Sequence, residues 1–139
     1  MNDPTTKVWA YEPANRVHSL EDIDKALAAM STSRVLIVSA TLLAARYHLV
    51  ALTTQARKVG RDVQTRSGVG TVRLTYTDTG TTVTIGSWRA TEDSSMRGMS
   101  LDVVLLDKGD YLTEPRRRIL HPLLVTKAPS PDRIRRVAF

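Results

Sequence analysis

The order of periodicities in this 139-residue chain predicts an α/β fold, a mainly parallel sheet sandwiched by helices with an antiparallel β-hairpin inserted. Three observations carry that expectation. Two short segments, RVLIVS from Arg34 and LDVVLL from Leu101, hold the apolar runs Val35 to Val38 and Val103 to Leu106, continuous rather than alternating, as strands covered on both faces are. From Leu42 the apolar positions Ala45, Leu49, Leu52, Ala56 and Val59 recur at spacings of three and four, the period of a helix with one core face. Between Thr71 and Gly86 the chain turns to Thr, Val, Leu and Tyr around a polar TDTG link, the signature of a hairpin.

Taken in order, Lys7 to Tyr11 reads as a short strand and Leu20 to Met30 as a helix with Leu20, Ile23, Leu27 and Met30 at helical spacing. Ser19 precedes that helix with Asp22 three residues on, a capping box in which Asp replaces the usual Glu. Arg34 to Ser39 is a buried strand, and the long helix from Leu42 ends near Gly60, a residue suited to the left-handed turn after a helix. Thr71 to Tyr76 and Thr81 to Gly86 are the hairpin strands, followed by the strand Leu101 to Leu106. Glu114 to Leu120 is a short helix and Leu123 to Thr126 another central strand. Ala128 to Pro131 breaks the pattern before a basic tail, taken over 128–139. There is no repeat and no low-complexity stretch, so one domain over 1–139 is expected.

Composition bounds the function classes. With 42% hydrophobic and 24% charged residues the chain is ordinary globular protein. The absence of cysteine excludes a disulfide scaffold and a thiolate metal site. MNDPTTKVWAYEP lacks the apolar core of a signal peptide, and no apolar run is long enough to span a bilayer, so a soluble protein of the cytoplasm with no membrane contact is expected. The net charge of +6 is uneven: residues 34–66 hold six Lys or Arg against one acid, and residues 107–139 hold eight against four. Arg57, Lys58 and Arg61 form one basic group and Arg116, Arg117 and Arg118 another, which suits either a phosphate backbone or an acidic protein surface. A merely solvated face is the bland alternative for each.

Asp107 stands at the carboxyl end of the apolar run, on the edge where ligands of parallel sheets gather, although Asp107, Gly109 and Asp110 also suit a turn. His18, His48 and His121 are far apart and none has a neighbour at metal-ligand spacing, which makes His48 a boundary residue of its helix. Ser39 and Ser87 follow strands without the G-x-S-x-G elbow of a nucleophile. With 5% aromatic residues, Trp9, Trp88 and the tyrosines fill the core edge more readily than they stack on bases.

Four segments in sequential order resemble the ATPase domain of the large terminase subunit of tailed bacteriophages, a P-loop NTPase that drives DNA packaging. RVLIVSAT with its following helix resembles the second strand of that domain, and TVRLTYTDTGTTVTIGS its strand, glycine turn and strand ending in Ser. SMRGMSLDVVLLD resembles the arginine-glycine segment that leads into the acidic strand, and LLVTKAP the later strand with its coupling motif. The resemblance spans about residues 7 to 129 and implies a P-loop NTPase-like fold.

Within that resemblance the reacting positions are altered. A phosphate loop reads G-x-x-x-x-G-K-[ST], its glycines letting backbone N–H groups wrap the phosphates. The matching place reads Glu12, Pro13, Ala14, Asn15, Arg16, Val17, His18, Ser19, where only the final hydroxyl survives. Val17 is β-branched where close backbone approach is needed, His18 is shorter than lysine, and Glu12 repels phosphate. Read apart from the family, Ser19 is a helix cap and His18 a surface loop residue. Asp107, Lys108 and Asp110 stand at the Walker B positions, where Asp107 would help hold magnesium, and Lys108 replaces the glutamate that would activate water. Arg16 and Arg97 occupy places of phosphate-sensing arginines but have no lysine beside them. The family also carries a nuclease domain, which these 139 residues are expected not to include, and that leaves either a chain other than an ordinary packaging motor or a fragment of one.

The resemblance therefore implies a catalytically inactive terminase-like protein of phage or prophage origin, placed in the cytoplasm of a bacterial host and using no ATP, magnesium or other cofactor. Such a protein works by binding a protein partner, a motor, another oligomeric NTPase or a phage assembly. Two alternatives stand beside it: a basic DNA- or RNA-binding module using Arg57, Lys58, Arg61 and Arg116 to Arg118, and an NTPase with an unorthodox site in which Asp107 and Asp110 hold magnesium.

Overall fold

The computed structural model describes residues 17–30, 32–68, 71–89, 100–107, 113–120 and 134–138. They form the strands β1 (Val17–Ser19), β2 (Arg34–Ser39), β3 (Val63–Ser67), β4 (Thr71–Tyr76), β5 (Thr81–Ser87), β6 (Val103–Asp107) and β7 (Ile134–Ala138). The helices are α1 (Leu20–Ala29), α2 (Leu42–Lys58) and α3 (Glu114–Leu120). These strands join one seven-stranded sheet in the order β1-β7-β6-β2-β5-β4-β3. The first five are mutually parallel, and β4 and β3 extend the sheet antiparallel.

The apolar runs behave as their continuity requires. Alternate residues of β2 and β6 face opposite ways, so Val35, Ile37, Val103 and Leu105 pack beneath Ile23 and Leu27 of α1 and Ala45, Leu52 and Ala56 of α2. Leu36, Val38, Val104 and Leu106 form a second core on the other face with Trp88, Leu101 and Leu120 of α3. Helices thus cover both faces of a mainly parallel sheet.

Local chemistry sets the helix ends. Ser19 Oγ accepts the N–H of Asp22 at 3.2 Å and Thr41 Oγ1 accepts that of Ala44 at 3.0 Å, each satisfying an otherwise orphan donor of the first turn. At the far end of α2, Gly60 takes φ +84°. Its N–H donates to Arg57 O at 3.0 Å while Arg61 N–H donates to Ala56 O at 2.9 Å, the paired bonds of a Schellman motif. Val59, expected on the core face, lies beyond the last helical residue and is half exposed.

Three expectations need amendment. β3 has no counterpart in the sequence reading, because VQTRS shows no apolar alternation: it is an edge strand with four of five residues exposed. Ile134–Ala138, read as part of a basic tail, forms β7 and lies between β1 and β6, its arginines having hidden the β-branched Ile134 and Val137. Val17–Ser19, read as loop, is β1. The expected strands Lys7 to Tyr11 and Leu123 to Thr126 lie outside the described residues.

Candidate functional site at the carboxyl edge of the sheet

β6, β2 and β5 run side by side and end together. Ser39 pairs in register with Ser87, and Val38 with Leu106, which sets Asp107 beside Ser39 at the same edge. From β2 the chain leaves through α2 toward β3, and from β6 through α3 toward β7, on the opposite face and in the opposite direction along the sheet. The gap between β2 and β6 is therefore a topological switch point, the place where parallel α/β sheets open a crevice for ligands.

In this chain a histidine side chain stands beside that place. His48, on the inner side of α2, is buried with Nδ1 2.7 Å from Ser39 Oγ and Nε2 3.6 Å from Asp107 Oδ2. In the neutral tautomer that carries its proton on Nε2, toward the carboxylate, Nδ1 accepts the Ser39 hydroxyl hydrogen. Serine, histidine and aspartate are the groups of a hydrolytic triad, but the arrangement does not supply one. Ser39 is fully buried and offers no nucleophile to solvent, and the carboxylate stands at 3.6 Å, beyond hydrogen-bond reach. The trio is better described as a polar plug. In sequence, His48 reads as a boundary residue and Ser39 as a strand end; their meeting depends on the α2 crossover, which no local spacing encodes.

Around the plug, Trp88 lies buried under Arg116, whose Cζ is 4.3 Å from the ring centroid, a cation-π contact. Among the described residues no group of three His, Asp or Glu side chains is placed to hold a metal ion. Lys108 and Asp110 lie outside the described residues.

Of the segment matched to the phosphate loop, Glu12 to Ser19, the described residues are the last three. Val17, His18 and Ser19 pair in parallel with Arg136, Val137 and Ala138, and α1 begins at Leu20 with no intervening residue. His18, read as a surface loop residue, is buried in that strand, and Ser19 is the helix cap, as read. Arg16 and Arg97 lie outside the described residues.

The two basic groups do not converge. Arg57 and Lys58 end α2 on one face of the sheet, whereas Arg116 to Arg118 belong to α3 on the other. Arg61 is engaged by buried Asp24, Nε to Oδ2 at 2.9 Å, and Arg118 faces exposed Glu114 at 3.8 Å. The fold assembles a different basic surface from Arg34, Arg66 and Arg73. Arg66 pairs directly with Arg73, and Arg34 and Arg73 line a cavity of about 320 Å³ with Thr82, Thr84 and Ser100. All three arginines are exposed, and none makes an ion pair among the described residues. The TVRLTY alternation, which turns Arg73 away from buried Val72 and Leu74, is the signal of this surface that the sequence holds.

No family model matches the chain, and no curated protein matches it in sequence. Solved structures do match in shape. The large terminase from a thermophilic bacteriophage, in complex with ADP, superposes with a TM-score of 0.59 at 10% identity, over 96% of this chain and 36% of the terminase. The fold is shared with part of a phage large terminase. Two further structures of the same terminase agree, each with a TM-score of 0.57, at 12% and 11% identity, over 98% and 99% of this chain and 38% and 37% of theirs. The chain thus spans little more than a third of the length of these terminases, and the terminase fold is shared over nearly all of it.

Proposed function

We propose that this terminase-fold chain is catalytically inactive and acts by binding a protein partner, an oligomeric NTPase or an assembly of phage or prophage origin in the bacterial cytoplasm. The observation that supports this most is the junction of β1 and α1. A phosphate loop needs several residues between strand and helix so that backbone N–H groups can close around the anion. Here Ser19 ends the strand, and its own hydroxyl takes a first-turn N–H that an anion would otherwise use. The His48 plug supports the same reading, since Asp107 looks onto an imidazole where magnesium would be needed. A competent NTPase would also need a base for water, and the ammonium group of a lysine, as at 108, has donors and no acceptor.

Titration calorimetry with Mg-ATP at low salt tests this. The expected result is no saturable heat up to millimolar nucleotide. Saturable binding with a micromolar Kd, abolished by Asp107→Ala, overturns the reading in favour of an unorthodox NTPase.

The paired arginines favour a second reading, a nucleic-acid-binding module. Like charges directly opposed across strands cost stability unless something neutralises them, and a phosphate backbone would. If Arg34, Arg66 and Arg73 each contact one phosphate of duplex DNA, log K falls against log salt with a slope of about −2.7. In Arg66→Ala the slope becomes shallower by about one contact, and a salt-independent affinity sinks this reading.

A further inference from the structure

α2 is apolar on two sides. Its inner side supplies Ala45, Leu52 and Ala56 to the core, yet Leu43, Tyr47 and Val50 on its outer side are 78%, 66% and 62% exposed. The spacing i, i+4, i+7 sets these three on one line, which Thr54 continues for about 16 Å along the helix. An apolar stripe on a helix ordinarily faces a core, and the outer stripe of α2 is exposed.

We propose that the outer face of α2 is the docking surface for an amphipathic helix of the partner, with apolar anchors on one side and acidic residues flanking them. This rests on the partner-binding reading above and names the chemistry of the partner. Charge complementarity selects the occupant. α2 contains no acid, and Arg46, Arg57 and Lys58 border the apolar line with no ion pair among the described residues, so the rim is uniformly positive. A second copy of the chain laid antiparallel would bring Arg46 against the Arg57 and Lys58 end of its mate, a like-charge contact that works against self-association. A helix with glutamates flanking its anchors meets both requirements, and helix-on-helix burial of such anchors is a common recognition mode. Tyr47 is the natural centre: tyrosines concentrate binding energy at interfaces, and this one is held edge-on to the His48 ring, centroids 6.3 Å apart.

The test uses a labelled synthetic helix of about twenty residues with leucines at i, i+3, i+7 and flanking glutamates, and a twin in which lysines replace the glutamates. Fluorescence anisotropy should show saturable binding of the glutamate peptide at micromolar concentration and none of the lysine twin. Tyr47→Ala should weaken binding at least about tenfold. The exposed double substitution Arg46→Glu, Lys58→Glu should invert the preference toward the lysine twin. The proposal is overturned if neither peptide binds up to millimolar concentration, or if Tyr47→Ala leaves affinity unchanged. Sedimentation as a dimer that Tyr47→Ala dissolves, or binding of phosphatidylserine vesicles through these residues in place of the peptide, overturns it equally. Failure here with no response to Mg-ATP removes only this surface, whereas saturable nucleotide binding removes the partner-binding reading itself.

Discussion

Asp24 is 1% exposed, and what holds a charge in that position is a pair of long-range bonds. Its Oδ2 accepts from Arg61 Nε at 2.9 Å and its Oδ1 from the Tyr76 hydroxyl at 2.7 Å. Removing one member of a buried pair leaves the other uncompensated, so Arg61→Ala should cost about 3 kcal/mol in urea unfolding, toward the low end because Arg61 is partly solvated. Burial, and then the bond to Asp24, push the Tyr76 phenol well above its ordinary 10.0. A group whose proton is held more tightly in the folded state stabilises fully below its unfolded pKa and loses that contribution as pH rises from there through the folded pKa. Stability should therefore fall as pH climbs above 10, and Tyr76→Phe should flatten that fall; an unchanged alkaline slope in the phenylalanine variant would refute the assignment. Single residues were legible where their partners are local, as with Ser19 and Asp22. Asp24, His48 and the arginine pair were not, because each meets its partner through the packing of elements rather than through local spacing.

At the scale of elements, legibility followed how far each one advertises its burial. β2, β6 and the hairpin are marked by apolar runs or a glycine turn, and α2 by its period, so they were readable to within a residue or two. β3 and β7 take their place from neighbours' backbones, and charged residues hide them. The end of α2 offers a measurement at this scale. A Cβ added at Gly60 would meet nothing within 4 Å, so the cost of Gly60→Ala is conformational alone, about 1–2 kcal/mol for a left-handed residue. Gly60→Asn should cost less, since asparagine tolerates that region. Thermal unfolding of the three proteins checks the order. Because the same turn sets Arg61 beneath Asp24, Gly60→Ala combined with Arg61→Ala should be less than additive.

Considered whole, the molecule has helices on both faces of a mainly parallel sheet, and a buried histidine joins Ser39 and Asp107 at its carboxyl edge. The scaffold was readable because layer order is written in periodicity; the plug was not, because it is a product of that order. The two flanks of the sheet also differ in how they are stitched. β3, β4 and β5 are neighbours in sequence, whereas Val17 of β1 pairs with Arg136, and among the described residues β7 is the one strand beside β1. Arg136→Pro would remove a backbone donor from a strand with neighbours on both sides. Hydrogen exchange should then accelerate at Val17–Ser19 as well as in β7, with β3 and β4 protected as before; equal loosening throughout would show that the sheet opens as one unit. The same stitching gives the nascent chain an awkward interval on the ribosome. Until residues 134–138 have been made, β6 presents a bare edge of main-chain donors and acceptors, and β1 lacks the strand it pairs with. For that interval a half-synthesised copy is open to strand exchange with its neighbours on a polysome, and slow decoding between residues 107 and 138 would prolong the exposure.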